Sequence, residues 1–199
     1  MINLINKIFS KSKKIENKFS YFAKLKKQNS ILKLFLAIES FSDNSEIRYV
    51  GGCVRKILNN EIIDDIDFAV NLKPNECINA LNKKNIKIYK TGIKHGTITV
   101  IIDDSKFEIT SLRKDLYTDG RHAKVRFSLD WYTDASRRDF TINAIYSDID
   151  GNLYDPFNGK KDIDDGKIKF IGNAEKRIRE DYLRILRYIR FFISYSKIN

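Results

Sequence analysis

The segment RYVGGCVRKILNNEIIDDIDFAV, residues 48–70, joins a glycine pair, a basic stretch and two aspartates one residue apart. IRYV (47–50) before the glycines and DIDFAV (65–70) at the end predict strands, and CVRKILNN (53–60) between them predicts a helix. Side chains alternate faces along a strand, so we expect Asp65 and Asp67 to point the same way. Their mutual repulsion is relieved by a raised pKa, by an arginine, or by a divalent metal.

Magnesium suits such a carboxylate pair, because it binds through one or two carboxylates and completes its shell with water and substrate phosphates. Gly51 and Gly52 lack side chains, so the backbone N–H groups of the turn can approach an anion at the start of the helix, with Arg55 one turn further on. Two plainer interpretations remain open: a surface acidic pair with lysine partners, and a tight turn with a solvated arginine. Neither the P-loop nor the dinucleotide-binding pattern is present.

The composition indicates a globular protein with a polyanionic partner. The 199 residues have room for one domain and an extension, and 37 Lys and Arg against 26 Asp and Glu give a net charge of +11. Such a charge is typical of proteins that bind nucleic acid or a membrane surface. Cys53 and Cys77 form no C-x-x-C pair, which argues against a disulfide scaffold or zinc site and favours the reducing cytoplasm.

No apolar run is long enough for a membrane span, and the first residues lack the features of a secretory signal. Residues 1–30 are rich in lysine and predict a basic amphipathic leader helix, with an organellar presequence as the alternative. We therefore predict no membrane partner.

Periodicity assigns the remaining elements. Helices are predicted for SILKLFLAIESF (30–41) and NECINALNKK (75–84), and strands for IKIYK (86–90), GTITVII (96–102) and KFEITSL (106–112), with a hairpin turn at DDS (103–105). RKDLYTDGRHAKV (113–125) reads as a polar loop, WYTDASRRDFTINAIY (131–146) as helix then strand, YDPFNGKKDIDDGK (154–167) as turns, and IKFI (168–171) as a strand. From Asn173, a plausible N-cap, the rest predicts one helix.

Five motifs carry a family resemblance. GGCVRK (51–56), DDIDFAV (64–70), SRRDFTINAIY (136–146), YDPFNGKKDI (154–163) and REDYLRILRYIRFF (179–192) resemble, in order and spacing, the head and neck of the class II tRNA nucleotidyltransferase and bacterial poly(A) polymerase family. That family lies within the polymerase-beta-like superfamily. GIKHGTITV (92–100) and TDGRHAKVRF (118–127) resemble its CCA-adding branch.

The resemblance implies an α+β fold: a nucleotidyltransferase head with a mixed, mainly antiparallel sheet and flanking helices, followed by the first helix of an all-α neck. The corresponding boundaries are 1–43 for a basic N-terminal helical extension, 44–172 for the head and 173–199 for the start of the neck. Relatives continue through a longer neck, body and tail, so we expect a separate chain or missing segment to supply those parts.

The implied activity is template-independent transfer of CMP and AMP from CTP and ATP to the 3′ end of tRNA, with release of pyrophosphate. Asp65 and Asp67 would hold two Mg²⁺ ions about 3.5–4 Å apart, one activating the 3′-hydroxyl and the other neutralising the triphosphate. The alternatives are a poly(A) polymerase, a relative that adds only CC or only A, and a catalytically incomplete fragment that binds RNA or nucleotide.

The resemblance also assigns the site. Glu108 matches a third catalytic carboxylate, with a charge-paired strand residue as the alternative. The nucleotide-binding residues are Gly51, Gly52, Arg55, Arg138, Asp139, Asn143, Asp181, Arg184, Arg187 and Arg190.

Residue chemistry is compatible with these roles. Asp139 and Asn143 share a face if their segment is helical, which allows hydrogen bonds to a ribose; a cap or buried polar network is the alternative. Asp181 and Arg184 match the pair that reads the base, since a carboxylate accepts from the exocyclic amino group of cytosine or adenine and arginine donates to a ring acceptor. Along the last helix, one apolar stripe and one polar face are predicted: Ile178, Tyr182, Ile185 and Ile189 against Arg177, Asp181, Arg184 and Tyr188.

Overall fold

A computed structural model describes residues 18–118 and 123–197. The first 17 residues of the predicted leader and residues 119–122 of the predicted polar loop lie outside the described residues. The described helices are α1 Lys18–Lys26, α2 Asn29–Glu39, α3 Gly52–Leu58, α4 Pro74–Lys83, α5 Trp131–Ser136, α6 Gly159–Asp165, α7 Ala174–Glu180 and α8 Leu183–Tyr195, with 3₁₀ turns at Ile93–His95 and Thr141–Asn143.

The described strands are β1 Ile47–Val50, β2 Asp67–Val70, β3 Lys87–Gly92, β4 Thr97–Ile102, β5 Ser105–Ser111, β6 Arg113–Thr118, β7 Ala123–Phe127, β8 Tyr146–Ser147 and β9 Leu153–Tyr154. Seven of them form one sheet in the order β3-β4-β5-β2-β1-β8-β9, and β6 and β7 form a separate hairpin. Every neighbouring pair in the large sheet is antiparallel except β2 and β5, which are parallel. The predicted fold class, a mixed and mainly antiparallel sheet with flanking helices, is confirmed.

Two turns follow from local sequence as predicted. Gly51 links β1 to α3 at φ +69° and ψ −119°, a conformation that residues with a β-carbon rarely adopt. Asp103 and Asp104 join β4 to β5 with φ values of 47° and 63°, the two positive angles of a tight hairpin turn, in which aspartate is tolerated.

The main core lies between the sheet and helices α1, α2 and α4. Phe35 from α2 packs against Tyr49 of β1 and Phe68 of β2, with ring centroids 5.3 and 5.8 Å apart. Phe22 of α1 reaches the same Tyr49 at 5.7 Å. Burying an aromatic side chain of this size contributes roughly 1.5–3 kcal/mol, so α1 and α2 add substantially to the core. The predicted division into extension, head and neck stays a prediction.

Two segments predicted to be irregular are regular. Residues 113–125 were expected to form a polar loop, but β6 and β7 pair antiparallel there, with Arg113 opposite Phe127 and Asp115 opposite Val125. The hairpin lacks the apolar alternation of a core strand because it stands apart from the large sheet. The turn-rich segment 154–167 contains α6, whose first amides, Gly159 N and Lys160 N, donate to the Asp155 carboxylate at 2.7 and 2.8 Å.

Two predicted strands are short in the structure. The strand expected at the end of residues 131–146 is Tyr146–Ser147, and the strand expected at 168–171 is an isolated bridge between Phe170 and Phe140.

The single C-terminal helix predicted from Asn173 is wrong. Asn173 does cap α7, its side chain accepting from Lys176 N at 2.9 Å, but α7 ends at Glu180 and α8 begins at Leu183. Between them Asp181 is extended, at φ −158° and ψ 105°, and its carboxylate accepts from Leu183 N at 3.0 Å. A short polar side chain that bonds the neighbouring backbone competes with the helical hydrogen bonds, which explains the break.

The predicted faces of this region also change. Ile185 and Ile189, assigned to the apolar stripe, are 41% and 48% exposed, whereas Arg184 is 8% exposed. The side of α8 that meets the rest of the described structure carries Arg184 and Phe191. In the described ranges, no helix combines the length and the apolar character that crossing a membrane requires.

Candidate active site

A cleft of about 550 Å³ opens between the glycine turn, the segment 137–143 and α8. All predicted site residues except Asp65 and Glu108 line it. In the described part of the chain, seven arginines and four aspartates contribute to its walls, so positive charge is in excess. The walls consist of Val50, Gly51, Gly52, Arg55, Asp67, Arg113, Asp115, Arg137, Arg138, Asp139, Asn143, Asp181, Arg184, Arg187, Arg190 and Phe191.

Asp67 lines one end of this cleft, and Asp65 and Glu108 lie close enough to it to affect its charge. Asp67 is the first residue of β2 and lies directly beside Glu108 on the parallel strand β5. Asp65 precedes the strand, which is therefore shorter than the predicted DIDFAV. The surroundings raise the pKa of Asp67, first through partial desolvation of its carboxylate and then through the negative charges of Glu108 and Asp65, with Arg138 opposing them. Negative charge at this end is thus not fully compensated.

The metal ligands predicted from sequence are close enough to interact, but they do not form a closed cage. Among the described residues, no three His, Cys, Asp or Glu side chains form a ready-made metal site. Glu108 Oε1 lies 3.9 Å from Lys106 Nζ, and both side chains are exposed. Both predicted interpretations of Glu108, a third catalytic carboxylate and a charge-paired strand residue, therefore stay open. Uncompensated carboxylates that face an open cleft fit a hard cation that retains water and substrate oxygens among its ligands.

Asn143 links two arginines beside the glycine turn. Arg55 Nη1 donates to Asn143 Oδ1, and Arg138 Nη1 donates to the Asn143 carbonyl oxygen at 3.4 Å. A β-carbon on Gly51 would lie 3.5 Å from the same Arg138 nitrogen. Because α3 is only seven residues long, these guanidinium groups, rather than a helix dipole, are the main source of positive charge beside the turn.

Asp134 fixes Arg138 and was not predicted as a site residue. The side chain of Asp134 is 1% exposed and accepts from Arg138 Nη2 at 3.1 Å, from Arg137 Nε at 2.9 Å and from the Tyr146 hydroxyl at 2.7 Å. Burial alone would raise its pKa, but Arg138 and Arg137 lower the pKa to about 2. The i, i+4 spacing of Asp134 and Arg138 on a predicted helix was the available signal.

Asp139 joins the middle of the cleft to α8. Its Oδ1 accepts from Asn143 Nδ2 at 2.9 Å, and its Oδ2 accepts from Arg187 Nε at 2.6 Å. Burial would raise the pKa of Asp139, but Arg187 and the hydrogen bond from Asn143 hold it below its usual value. Asp139 and Asn143 therefore meet as predicted, although the segment between them is an extended residue followed by a 3₁₀ turn rather than an α-helix.

The far end of the cleft is built by the break between α7 and α8. Arg184 Nη1 donates to the Arg177 carbonyl oxygen at 2.7 Å and to Glu180 Oε2 at 2.9 Å. Arg177 in turn donates to Glu180 and to the backbone carbonyl oxygens of Arg137 and Arg138. Asp181 and Arg184 are thus held at one position relative to the Arg138 segment.

Three further charged residues of the cleft were not predicted: Arg113, Asp115 and Arg137. Arg113 donates to the His95 carbonyl oxygen, and its Nε lies 3.4 Å from Asp115 Oδ1. The Asp115 side chain is 19% exposed, and its Oδ2 lies 3.9 Å from Arg137 Nη1. Arg113 and Asp115 lie on β6 of the hairpin, which was predicted to be a loop, whereas Arg137 follows α5.

The sequence model of the poly A polymerase head domain family matches residues 47–169, more than half of the chain. The chain belongs to the poly A polymerase head domain family. The human mitochondrial CCA tRNA nucleotidyltransferase 1 is 49% identical over 151 residues, which are 75% of this chain and 35% of that protein. This head-domain protein therefore spans about a third of the length of that curated relative.

Solved structures agree with this assignment. The CCA-adding enzyme of Bacillus stearothermophilus in complex with CTP superposes with a TM-score of 0.73 at 32% identity, covering 84% of this chain and 40% of that one. A tRNA nucleotidyltransferase complexed with a primer tRNA and an incoming ATP analogue gives a TM-score of 0.64 at 26% identity, covering 81% and 46%. The family predicted from the five motifs is confirmed.

Proposed function

We propose that this head-domain protein is the catalytic part of a template-independent tRNA nucleotidyltransferase, which transfers CMP and AMP from CTP and ATP to the 3′ end of tRNA and releases pyrophosphate. One observation carries the proposal. A single cleft combines a glycine turn backed by Arg55 and Arg138, the carboxylate of Asp67, whose pKa is raised, and Asp181 and Arg184 at the far end.

The carboxylates would hold magnesium. Asp65 and Asp67 are the proposed ligands, and Glu108, the neighbour of Asp67 on β5, is the proposed third carboxylate. When bound, the metal supplies activation of the attacking 3′-hydroxyl and charge neutralisation on the triphosphate. Membership of the poly A polymerase head domain family supports a metal requirement in general, and the choice of Mg²⁺ rests on the oxygen-only donor set.

The side chains of the chain provide positioning and charge. Arg55 and Arg138, next to the open backbone of Gly51, Gly52 and Asn143, would bind the triphosphate. Asp139 would align the sugar through Asn143 while Arg187 and Arg190 face the phosphates or the bound strand. Asp181 and Arg184 would read the amino edge that cytosine and adenine share.

tRNA is the proposed second substrate. The net charge of +11 favours a polyanion, and a solved relative at 26% identity is described with a primer tRNA. Because the chain spans about a third of the human relative, we propose that a further segment or a separate chain supplies the remaining tRNA contacts. The free, buried Cys53 and Cys77 support a reducing compartment, for which we propose the cytoplasm.

A poly(A) polymerase is the second candidate, because the matching family model bears that name. The two candidates share the cleft and differ in whether CTP is a substrate.

The test is incubation of the purified chain with Mg²⁺, labelled CTP or ATP, and tRNA that ends before CCA. We expect incorporation of both nucleotides by the parent and none by Asp67→Asn, with Asp64→Asn as the matched control because Asp64 is paired with Lys56 outside the cleft. Calorimetric binding of CTP and ATP to the same proteins accompanies the assay. Equal incorporation by parent and Asp67→Asn, or a parent that binds neither nucleotide, contradicts the proposal; incorporation of AMP alone favours the poly(A) polymerase.

A further inference from the structure

Two aromatic rings of α8 enclose the guanidinium group of Arg55. Its Cζ lies 4.7 Å from the ring centroid of Phe191 and 5.2 Å from that of Tyr195. Arg55 is 8% exposed, and its Nε is buried without a hydrogen-bond partner in the described ranges. Arg55 has therefore lost most of its hydration and is held by one hydrogen bond to Asn143 and by the two ring faces, which attract a cation through their quadrupoles.

The two rings are themselves fixed to the head. Phe191 is 4% exposed and meets the ring of Phe140 edge-on at 5.6 Å. The Tyr195 hydroxyl donates to Glu61 Oε2 at 3.1 Å, and Glu61 lies between α3 and the carboxylates. The position of α8 therefore determines where these rings meet Arg55.

The guanidinium group points toward the glycine turn. A β-carbon on Gly52 would lie 4.0 Å from Arg55 Nη2, so this nitrogen is in contact range of the turn. A buried guanidinium group with few protein partners favours an anion at its open side, because the anion restores the hydrogen bonds lost on burial.

We propose that Phe191 and Tyr195 are positioning residues for the triphosphate. They hold Arg55 against the glycine turn, so α8 contributes to phosphate binding through an arginine of the head. The inference deepens the proposed function and depends on it for the identity of the anion.

The binding test compares CTP with CMP, because only CTP carries the phosphates that Arg55 would contact. Calorimetric titrations with Mg²⁺ use the parent chain, Tyr195→Leu, which removes the ring, and Tyr195→Phe, which keeps it. We expect Tyr195→Leu to weaken CTP binding about three- to tenfold and CMP binding less than about twofold, with Tyr195→Phe close to the parent. Phe192→Leu is the matched control, since Phe192 is 40% exposed on the same helix and packs on Tyr188.

A measurement without nucleotide separates the inference from the proposed function. The Nε–Hε NMR signal of Arg55, identified as the one lost in Arg55→Lys, is shifted by the currents of rings that lie over the guanidinium group. We expect this signal to move in Tyr195→Leu and to stay in place in Phe192→Leu.

Three outcomes overturn the inference: an Arg55 signal that does not move in Tyr195→Leu, equal loss of CTP and CMP binding, or equal loss in the leucine and phenylalanine variants. If the parent binds no CTP while the Arg55 signal moves as expected, the proposed function falls and with it the assignment of a triphosphate, whereas the contact between Tyr195 and Arg55 stands.

Discussion

Replacing Asp139 by asparagine tests whether one ion pair joins the 139–143 segment to α8. Asp139 Oδ2 lies 2.6 Å from Arg187 Nε and 2.5 Å from Arg187 Nη2, and Asp139 Oδ1 accepts from Asn143 Nδ2. Asparagine keeps the shape but loses the charge, and its amide group opposes the Arg187 donors. Because the Arg187 side chain is 46% exposed, the released cation can hydrate. We expect the free energy of unfolding to fall by about 2 kcal/mol, within the range for hydrogen bonds to charged groups.

The assay is urea unfolding followed by circular dichroism, in a double-mutant cycle of Asp139→Asn with Arg187→Gln. A coupling energy of at least about 1 kcal/mol is expected, because the two side chains are in direct contact. Thermal unfolding of Asp139→Asn should shift down by about 4–8 °C for a chain of this size. Arg179→Gln is the control, since Arg179 and Glu175 form an ion pair with both side chains 72% exposed. A coupling energy indistinguishable from zero would refute the proposed link between the segment and α8.

Three further predictions concern the residues around this link. The pKa of Asp134 is about 2 against a usual 3.8, so its stabilising contribution is complete above pH 4 and is lost as the pH falls toward 2. In acid, the free energy of unfolding of the parent should fall by about 2 kcal/mol for this reason, and that of Asp134→Asn should not. Gly51→Ala should lower the free energy of unfolding by about 1–3 kcal/mol, because its φ is +69°, while Gly52→Ala, with no positive φ, should change it by less than about 0.5 kcal/mol; equal effects would contradict the backbone argument. Glu180→Gln should weaken the hydrogen bond that holds Arg184 and so reduce the preference for CTP over UTP about fivefold, which corresponds to about 1 kcal/mol. An unchanged preference, or the same loss in the exposed control Glu175→Gln, would argue against the role of Arg184.

Where sequence prediction succeeded, local chemistry decided the structure. The Gly51 turn requires a positive φ, and the hairpin turn has positive φ at Asp103 and Asp104, which aspartate tolerates. Apolar residues of α2 such as Ile31 and Leu34 are fully buried at helical spacing. Each of these signals lies within a few residues of the element it determines.

Where prediction failed, distant partners decided. Hydrophobic periodicity assigned Ile185 and Ile189 to the main apolar stripe, but both are exposed. Instead, α8 turns Arg184 and Phe191 inward. Arg184 donates there to Glu180 and to the Arg177 carbonyl oxygen, and Phe191 packs on Phe140. The polar β6–β7 hairpin was missed because its two strands pair with each other and need no apolar face to do so. Arg113 and Asp115, which reach the cleft from β6, were missed with it.

The residues that surround the cleft were largely identified by their motifs, but their partners were not. Arg138 and Arg55 were predicted as ligands of phosphate. Of the groups that hold them, Asp134 and Tyr195 lie outside the five motifs, and Phe191 lies in the last motif but was given no role. The cation–π contacts of Arg55 join segments far apart in the chain, so single-sequence periodicity contains no record of them, whereas Asp134 and Arg138 are only four residues apart.

The most direct test of the central claim is the position of a metal and a nucleotide in crystals of the full chain grown with CTP and Mn²⁺, a cation that gives an anomalous signal and shares the oxygen preference of magnesium. The account predicts an anomalous peak in contact with the carboxylates of Asp65 and Asp67, with the triphosphate beside Gly51 and Arg55. A peak bound elsewhere, or a triphosphate away from the glycine turn, would contradict it.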